Sequence, residues 1–450
     1  MSTDLNDLLC KAIARAEAKG ATSADAVAVE ELEGHVRVRL GEIEQIQRAR
    51  QRRLGIRVFC GQSQAISASG DLREATLERL VDDTVAMARL TAEDPFAGLP
   101  DPRDCGAVHV ERPDLHDPAA DVFDLEKGVA WAREAERVAM AADPRITNSE
   151  GAEFGFSSVL RAFAASGGVT GSYRSSHFSG YVVPVAVHEG AMERDYWYTQ
   201  RRHYRDVESP EFIGRIAAER TLRRLGSAKG KTCEVPIVFD ERTASSIVGA
   251  IAGAVNGGSI YRGASFLKGK LGERIASELV TIVDDGVLPG GMGTRPYDGE
   301  GSATRTNVVV ENGILRTYLL DTYSGRKLSS HTTGNAVRAV SDAPGVGATN
   351  FHLRPGSTPE AELLSGIAQG FYVTDLIGFG VNGTTGDYSQ GAAGLWIVDG
   401  KLAHAVSEVT IAGNLLAMLQ DVEGVGDHID VHRGVSSPAL RLRKMMVAGA

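Results

Sequence analysis

The chain has 450 residues, 43% of them hydrophobic and 24% charged, a composition that points to a soluble globular protein too long for a single core. Its formal net charge of −10 opposes a phosphate backbone, so nucleic acid is not an expected partner. No run approaches the ~20 apolar residues that span a bilayer, and Cys10, Cys60, Cys105 and Cys233 lack the paired spacing of a disulfide framework or a zinc finger.

The start, MSTDLNDLLCKAIARAEAKG, is acidic and helical, unlike an export signal, and the free thiols suit a reducing compartment, so the expected location is cytoplasmic. Asp4 is placed to cap a helix ending near Gly20. A strand AVAV follows, with a turn expected at Glu33-Gly34 into the alternating HVRVRL. LGIRVFCG and QAISASG read as a strand pair around Gly61, and Leu77, Leu80, Val81, Val85 and Ala88 have helical spacing, completing an N-terminal α/β-sandwich-like unit over 1–92. Pro95, Pro100, Pro102, Pro113 and Pro118 mark 93–120 as a linker or strap.

A helix near Val122–Ala142, a meander of antiparallel strands and a helix opening at Ser209-Pro210 form a central unit over 121–228. After Lys229-Gly230-Lys231 come the strand EVPIVFD, a small-residue helix RTASSIVGAIAGAVNGG, and a β-rich C-terminal domain over 232–450 with a helix near Pro359–Ile367. The fold class expected is therefore α+β. The basic tail residues Arg433, Arg441, Arg443 and Lys444 alternate with apolar neighbours and read as a solvated strand face.

Motifs of known chemistry fail on context. His188-Glu189 with Glu193 resembles a metallopeptidase string, but Gly190 puts the two candidate ligands on opposite arms of a hairpin. Gly378, Gly380 and Gly383 spell GxGxxG, yet no helix opens after them. GASFLKGK has the wrong spacing for a phosphate loop, and Ser389 lacks the flanking glycines of a nucleophile elbow. The carboxylates Asp298, Glu300, Asp321 and Asp387 suit turn-bracing through backbone N–H groups better than acid-base catalysis.

The most informative text is two glycine-, threonine- and asparagine-rich blocks, Gly286–Ala336 and Phe371–Leu415. GTRPYDGEG, VVVENGILRTYLLDTYSGRKL, HTTGNA, GFGVNGTTGDYSQGAAGLWIVDG and VTIAGNL, with LGIRVF and RDYWYT earlier, resemble the ordered signature of the TldD/PmbA family, the modulators of DNA gyrase. In that family one kind of subunit carries a HExxxH helix whose histidines, with a later cysteine, hold a catalytic metal. The matching stretch here is Val248-Gly249-Ala250-Ile251-Ala252-Gly253, and no cysteine follows Cys233.

The resemblance therefore implies a non-catalytic PmbA/TldE-type subunit with no cofactor of its own, zinc being expected only in a TldD-type HExxxH partner. It also implies a cytosolic heteromeric metalloprotease acting on unfolded peptides, with no nucleic-acid or membrane partner. Arg295, Asp298, Tyr323, Arg326, Asn335, Asn382, Thr385, Asp387 and Asn414 are the candidates for a peptide groove or subunit interface, as polar side chains among glycines; loop bracing is their alternative role. Two other readings stay open: a stand-alone homodimeric peptide-binding module, and an independent hydrolase using His188 with Glu193.

Overall fold

Asp4 lies in extended backbone and its carboxylate accepts the N–H of Asn6, so helix α1 (Leu5–Ala18) starts with a satisfied first turn. This computed structural model describes residues 4–105, 114–431 and 433–449, so the 106–113 part of the expected strap, including Pro113, lies outside the described residues. Strands β1 (Ser23–Arg39) and β2 (Glu42–Cys60) form one long hairpin. Its turn is Leu40-Gly41, with φ of 50° and 81°. The turn expected at Glu33-Gly34 is absent. Gly34 is instead a mid-strand residue packed against an aromatic ring, where a Cβ would fall 2.2 Å from Phe156.

Strand β3 (Ser63–Ser69) and helix α2 (Glu74–Ala88) complete the first segment. Helix α3 (Leu125–Ala141) is capped by Asp124. Strands β4 (Ile146–Ala165), β5 (Val169–His188), β6 (Ala191–Arg194) and β7 (Trp197–Arg201) follow, then helix α4 (Pro210–Leu222), with Ser209 as its cap. The sheet order is β3-β2-β1-β4-β5-β6 with β7 also on β5, and every pairing is antiparallel. The strands of 1–92 and of 121–228 thus share one sheet.

Side-chain alternation gives this sheet two different faces. Even-numbered positions are covered: Ala24, Ala26, Ile56 and Val58 meet Leu9, Val81 and Val85 of α1 and α2. Farther along the same face, Val36, Phe154 and Phe178 meet Trp131 of α3 and Ile213 of α4. Odd-numbered positions face the other way and form a mixed surface, where Glu31, Arg161 and Ser175 stand among Val27, Val29, Val159 and Phe163.

In the C-terminal domain, strands 233–239, 369–377, 387–398, 401–414 and 440–448 pair in that order, and the last returns to the first, closing a barrel without free edges between these five. Helix α5 (Glu241–Ala254), capped by Asp240 on the Thr243 N–H, packs Ile247, Val248 and Ile251 into the core with Ile237, Phe239 and Phe371.

The two halves meet at the end of the odd-numbered face. Asp25 and Arg57 of the sheet meet Glu300 and Arg338 of the C-terminal domain, and all four side chains are at most 5% exposed. Gly55 beside them lets the backbones touch, since a Cβ there would lie 1.8 Å from the Val340 carbonyl oxygen. Residues 94–99 cross the junction and are clamped from the C-terminal side. Arg326 donates to the carbonyls of Phe96 at 3.0 Å and Leu99 at 2.5 Å, and Tyr323 Oη donates to Asp94 at 2.8 Å.

Candidate functional site

Beyond the buried ionic junction the odd-numbered face opens into a cavity of about 1090 Å³. Its floor is built in strand register: Arg53, Val29, Arg161 and Tyr173 stand in one row across four strands, and Glu31, Val159 and Ser175 in the next. Its roof is C-terminal, from loops 292–299 and 337–345, which bring Arg295, Tyr297 and Asp298 over the sheet. The floor residues were missed at the level of sequence. Their signal was the alternation Ser157, Val159, Arg161, which marks a sheet face but does not say what covers it.

Electrostatics in the cavity follow from burial. Arg202, 8% exposed, donates to the carbonyl oxygens of Ser176, Gly291 and Met292 with no carboxylate beside it among the described residues, and burial pushes its guanidinium down to about 10. Burial, then the positive field of Arg202, pushes His177 down to about 4, so its ring is neutral at pH 7.

Asp298 accepts the N–H groups of Glu300, Ser302 and Ala336, yet burial and then the nearby Glu300 carboxylate push it up to about 7. A carboxyl raised in the folded state takes up a proton on folding. Its stabilising contribution is full below its ordinary value near 3.8 and is lost as pH rises through about 7. Asp298→Asn is therefore expected to flatten the pH dependence of stability between about pH 4 and 7. Urea midpoints of both proteins at pH 4.5 and 7.5 check this, and equal slopes would refute the assignment.

The nine residues selected from sequence do not converge on one site. Arg295 and Asp298 line the cavity, whereas Tyr323 and Arg326 hold the 94–99 segment. Asn335 is fully buried, donating to Asp284 and Gly347 and accepting from Asn307 and Thr333. Asn382, Thr385, Asp387 and Asn414 tie one exposed loop together: Asn382 accepts from the Thr384 N–H, Thr385 donates to Asp387, and Asn414 donates to both Asp387 and the Thr385 carbonyl.

At the metal-motif positions on α5, Val248 is buried, a Cβ on Gly253 would meet nothing within 4 Å, and one on Gly249 would touch only Val435, at 3.9 Å. None of the three has a nitrogen, oxygen or sulfur on its side chain, so a metal does not fit there. Among the described residues no three His, Cys, Asp or Glu side chains gather elsewhere in a metal-binding group. His188 and Glu193 sit on the two arms of the β5–β6 hairpin, and Glu193 is engaged by Arg224 at 3.2 Å.

Three segments match the successive domains of one family: 24–88 to PmbA/TldA metallopeptidase domain 1, 118–225 to its central domain and 232–449 to its C-terminal domain. The chain belongs to the PmbA/TldD family. It is 36% identical to a metalloprotease PmbA homolog of Haemophilus influenzae, covering 96% of this chain and 93% of that one. It is 35% identical to metalloprotease PmbA of Escherichia coli O157:H7, with 96% and 94% covered.

Against a family member named a metalloprotease TldD homolog, from Buchnera aphidicola of Schizaphis graminum, identity is 27% and covers 44% of this chain and 45% of that one. A crystal structure from Bacteroides thetaiotaomicron, described as a modulator of DNA gyrase, superposes with a TM-score of 0.92 at 25% identity and full coverage of both chains. TldE from Thermococcus kodakarensis shares the fold, with a TM-score of 0.86 at 20% identity, covering 98% and 100%. The family resemblance read from the glycine-rich blocks is thus established, as is the α+β class. No helix among the described residues is long and apolar enough to cross a membrane.

Proposed function

We propose that this chain is the non-catalytic, PmbA/TldE-type subunit of a cytosolic heteromeric metalloprotease that cleaves unfolded peptides, with a HExxxH-bearing relative supplying the metal. The observation that carries this reading is α5, where Val248, Gly249 and Gly253 occupy the motif positions inside an otherwise complete three-domain scaffold. Relatives named metalloproteases support the peptidase role, and the roofed sheet face provides a concave surface with strand spacing for an extended chain. The free thiols of Cys10, Cys60, Cys105 and Cys233 support a reducing location.

The test is co-purification with a HExxxH relative from the same genome and assay on an unfolded peptide. Cleavage is expected only from the mixed complex, and a chelator should abolish it. Chelator-sensitive cleavage by this chain alone would overturn the proposal.

A further inference from the structure

Three arginines line the roofed cavity without a carboxylate partner among the described residues: Arg161 from β4, Arg202 just after β7 and Arg295 from the C-terminal loop. That pattern is unusual in a chain of net charge −10, where a cation ordinarily has an acid within reach. None of the lining acids forms a close ion pair with the three among the described residues, although the charge of Arg295 reaches Asp298 and Asp284 at longer range. Glu31 faces Arg53 at 3.9 Å, Asp298 is held by three amide N–H groups, and Asp342 lies on an exposed stretch beside Ser341.

The roof also has unfilled hydrogen-bonding capacity. Nε and Nη2 of Arg295 and Oη of Tyr297 are buried with no partner among the described residues. Leaving charged N–H groups unsatisfied in a buried setting costs stability unless something else fills them. Beneath them, Arg161 is exposed at the floor with no side-chain hydrogen bond among the described residues, paired in register with Tyr173, whose ring packs edge-on against Tyr297 at 5.4 Å.

We propose that this cavity is an anion site that takes a carboxylate of an extended peptide, with Arg295 and Arg161 as the binding residues and Arg202 as the fixed background charge. It rests on the peptidase-subunit reading for the identity of the ligand. A guanidinium presents parallel N–H donors that match the two oxygens of a carboxylate. The cavity is far larger than an ion, and its floor sets apolar Val29 and Val159 beside polar Glu31, Arg161 and Ser175 at strand spacing, which suits an anion borne by an extended chain. Arg202 already spends its donors on carbonyls, so it contributes field and not contacts.

The experiment measures binding of three labelled hexapeptides of Ala, Gly and Ser by fluorescence anisotropy, to this chain alone and to its complex with the HExxxH relative. One has a free C-terminal carboxylate, one a C-terminal amide, and one an amide with an internal Glu. The free-carboxylate peptide is expected to bind at least about tenfold tighter than the plain amide, the gap closing in Arg295→Gln and in Arg161→Gln but not in the surface control Arg215→Gln. If the Glu-bearing amide also binds tightly, a side-chain carboxylate serves as well as the terminal one; if it does not, the site is specific for the chain terminus.

Equal affinity for acid and amide, a gap that survives both arginine variants, or no binding of any peptide would each overturn the proposal. The exposed Arg161 keeps the test meaningful should Arg295→Gln fail to fold. Because co-assembly and chelator-sensitive cleavage are measured independently, a failed anion site with an intact protease complex is distinguishable from a failed subunit assignment.

Discussion

Arg57→Ala is expected to lower the unfolding free energy by about 3–5 kcal/mol, the cost of leaving buried charges without their partner. Arg57 stands between two acids, Asp25 on β1 and Glu300 on the C-terminal loop 3.3 Å away, with side-chain exposures of 5%, 0% and 1%. Burial works against ionisation of Asp25, but Arg338 and then Arg57 outweigh it and hold the carboxyl below its ordinary value. In the variant Asp25 keeps Arg338, whereas Glu300 loses its cationic partner and is left with hydrogen bonding from Thr322, with Asp321 repelling it. Arg57→Lys should recover part of the loss, because a single ammonium cannot serve two acids with the geometry of a fork. Urea denaturation at pH 7 decides the matter. A loss under about 1 kcal/mol, the range of an exposed pair, would show that the junction is not held by this network.

Phe154→Ala should cost a comparable amount, about 3–5 kcal/mol, by a different mechanism. Phe154 is 1% exposed on the covered face of the sheet. Its ring lies 5.6 Å from Phe123, 5.4 Å from Trp131 and 6.2 Å from Tyr204, so one truncation removes three aromatic contacts. The site cannot close easily. Gly128 of α3 already rests against the ring, where a Cβ would be 3.2 Å from Phe154 Cδ1, and the strand beneath is fixed by neighbours on both sides. The same denaturation series, with near-ultraviolet circular dichroism as a second probe of aromatic packing, would count against this account if both signals stayed at wild-type values.

The sequence was most readable where local chemistry acts alone. Asp4, Ser209 with Pro210, and the periodic Leu77, Val81 and Val85 announce helices because caps and apolar spacing are local. It misled at Gly34, where a glycine required by the Phe156 ring has the same letter as one required by a turn. It was silent over EIEQIQRARQRR, which is strand in the structure. β3 pairs only with residues 54–60 of β2, so the outer edge of 42–53 has no strand partner among the described residues. Both faces there are solvated, and the alternation that betrays a half-buried strand never forms.

The site was half legible for a related reason. Arg295 and Asp298 stood out because they interrupt a glycine-rich block. Arg161 and Tyr173 did not, since their relation to that block exists only through docking of one domain on another.

The shared sheet bears on how the protein is made. Asp25 pairs in register with Ala165 of β4, and α1 rests partly on Ala162 and Ala164, so the N-terminal hairpin leaves the ribosome with one edge open and its helix half covered. It gains its neighbour only when β4 has been synthesised. Non-local pairing of this kind slows folding and prolongs the life of an exposed strand edge. Until then, the open edge of β1 carries Glu31, Glu33 and Arg37, charged residues of the kind that oppose edge-to-edge pairing of nascent chains.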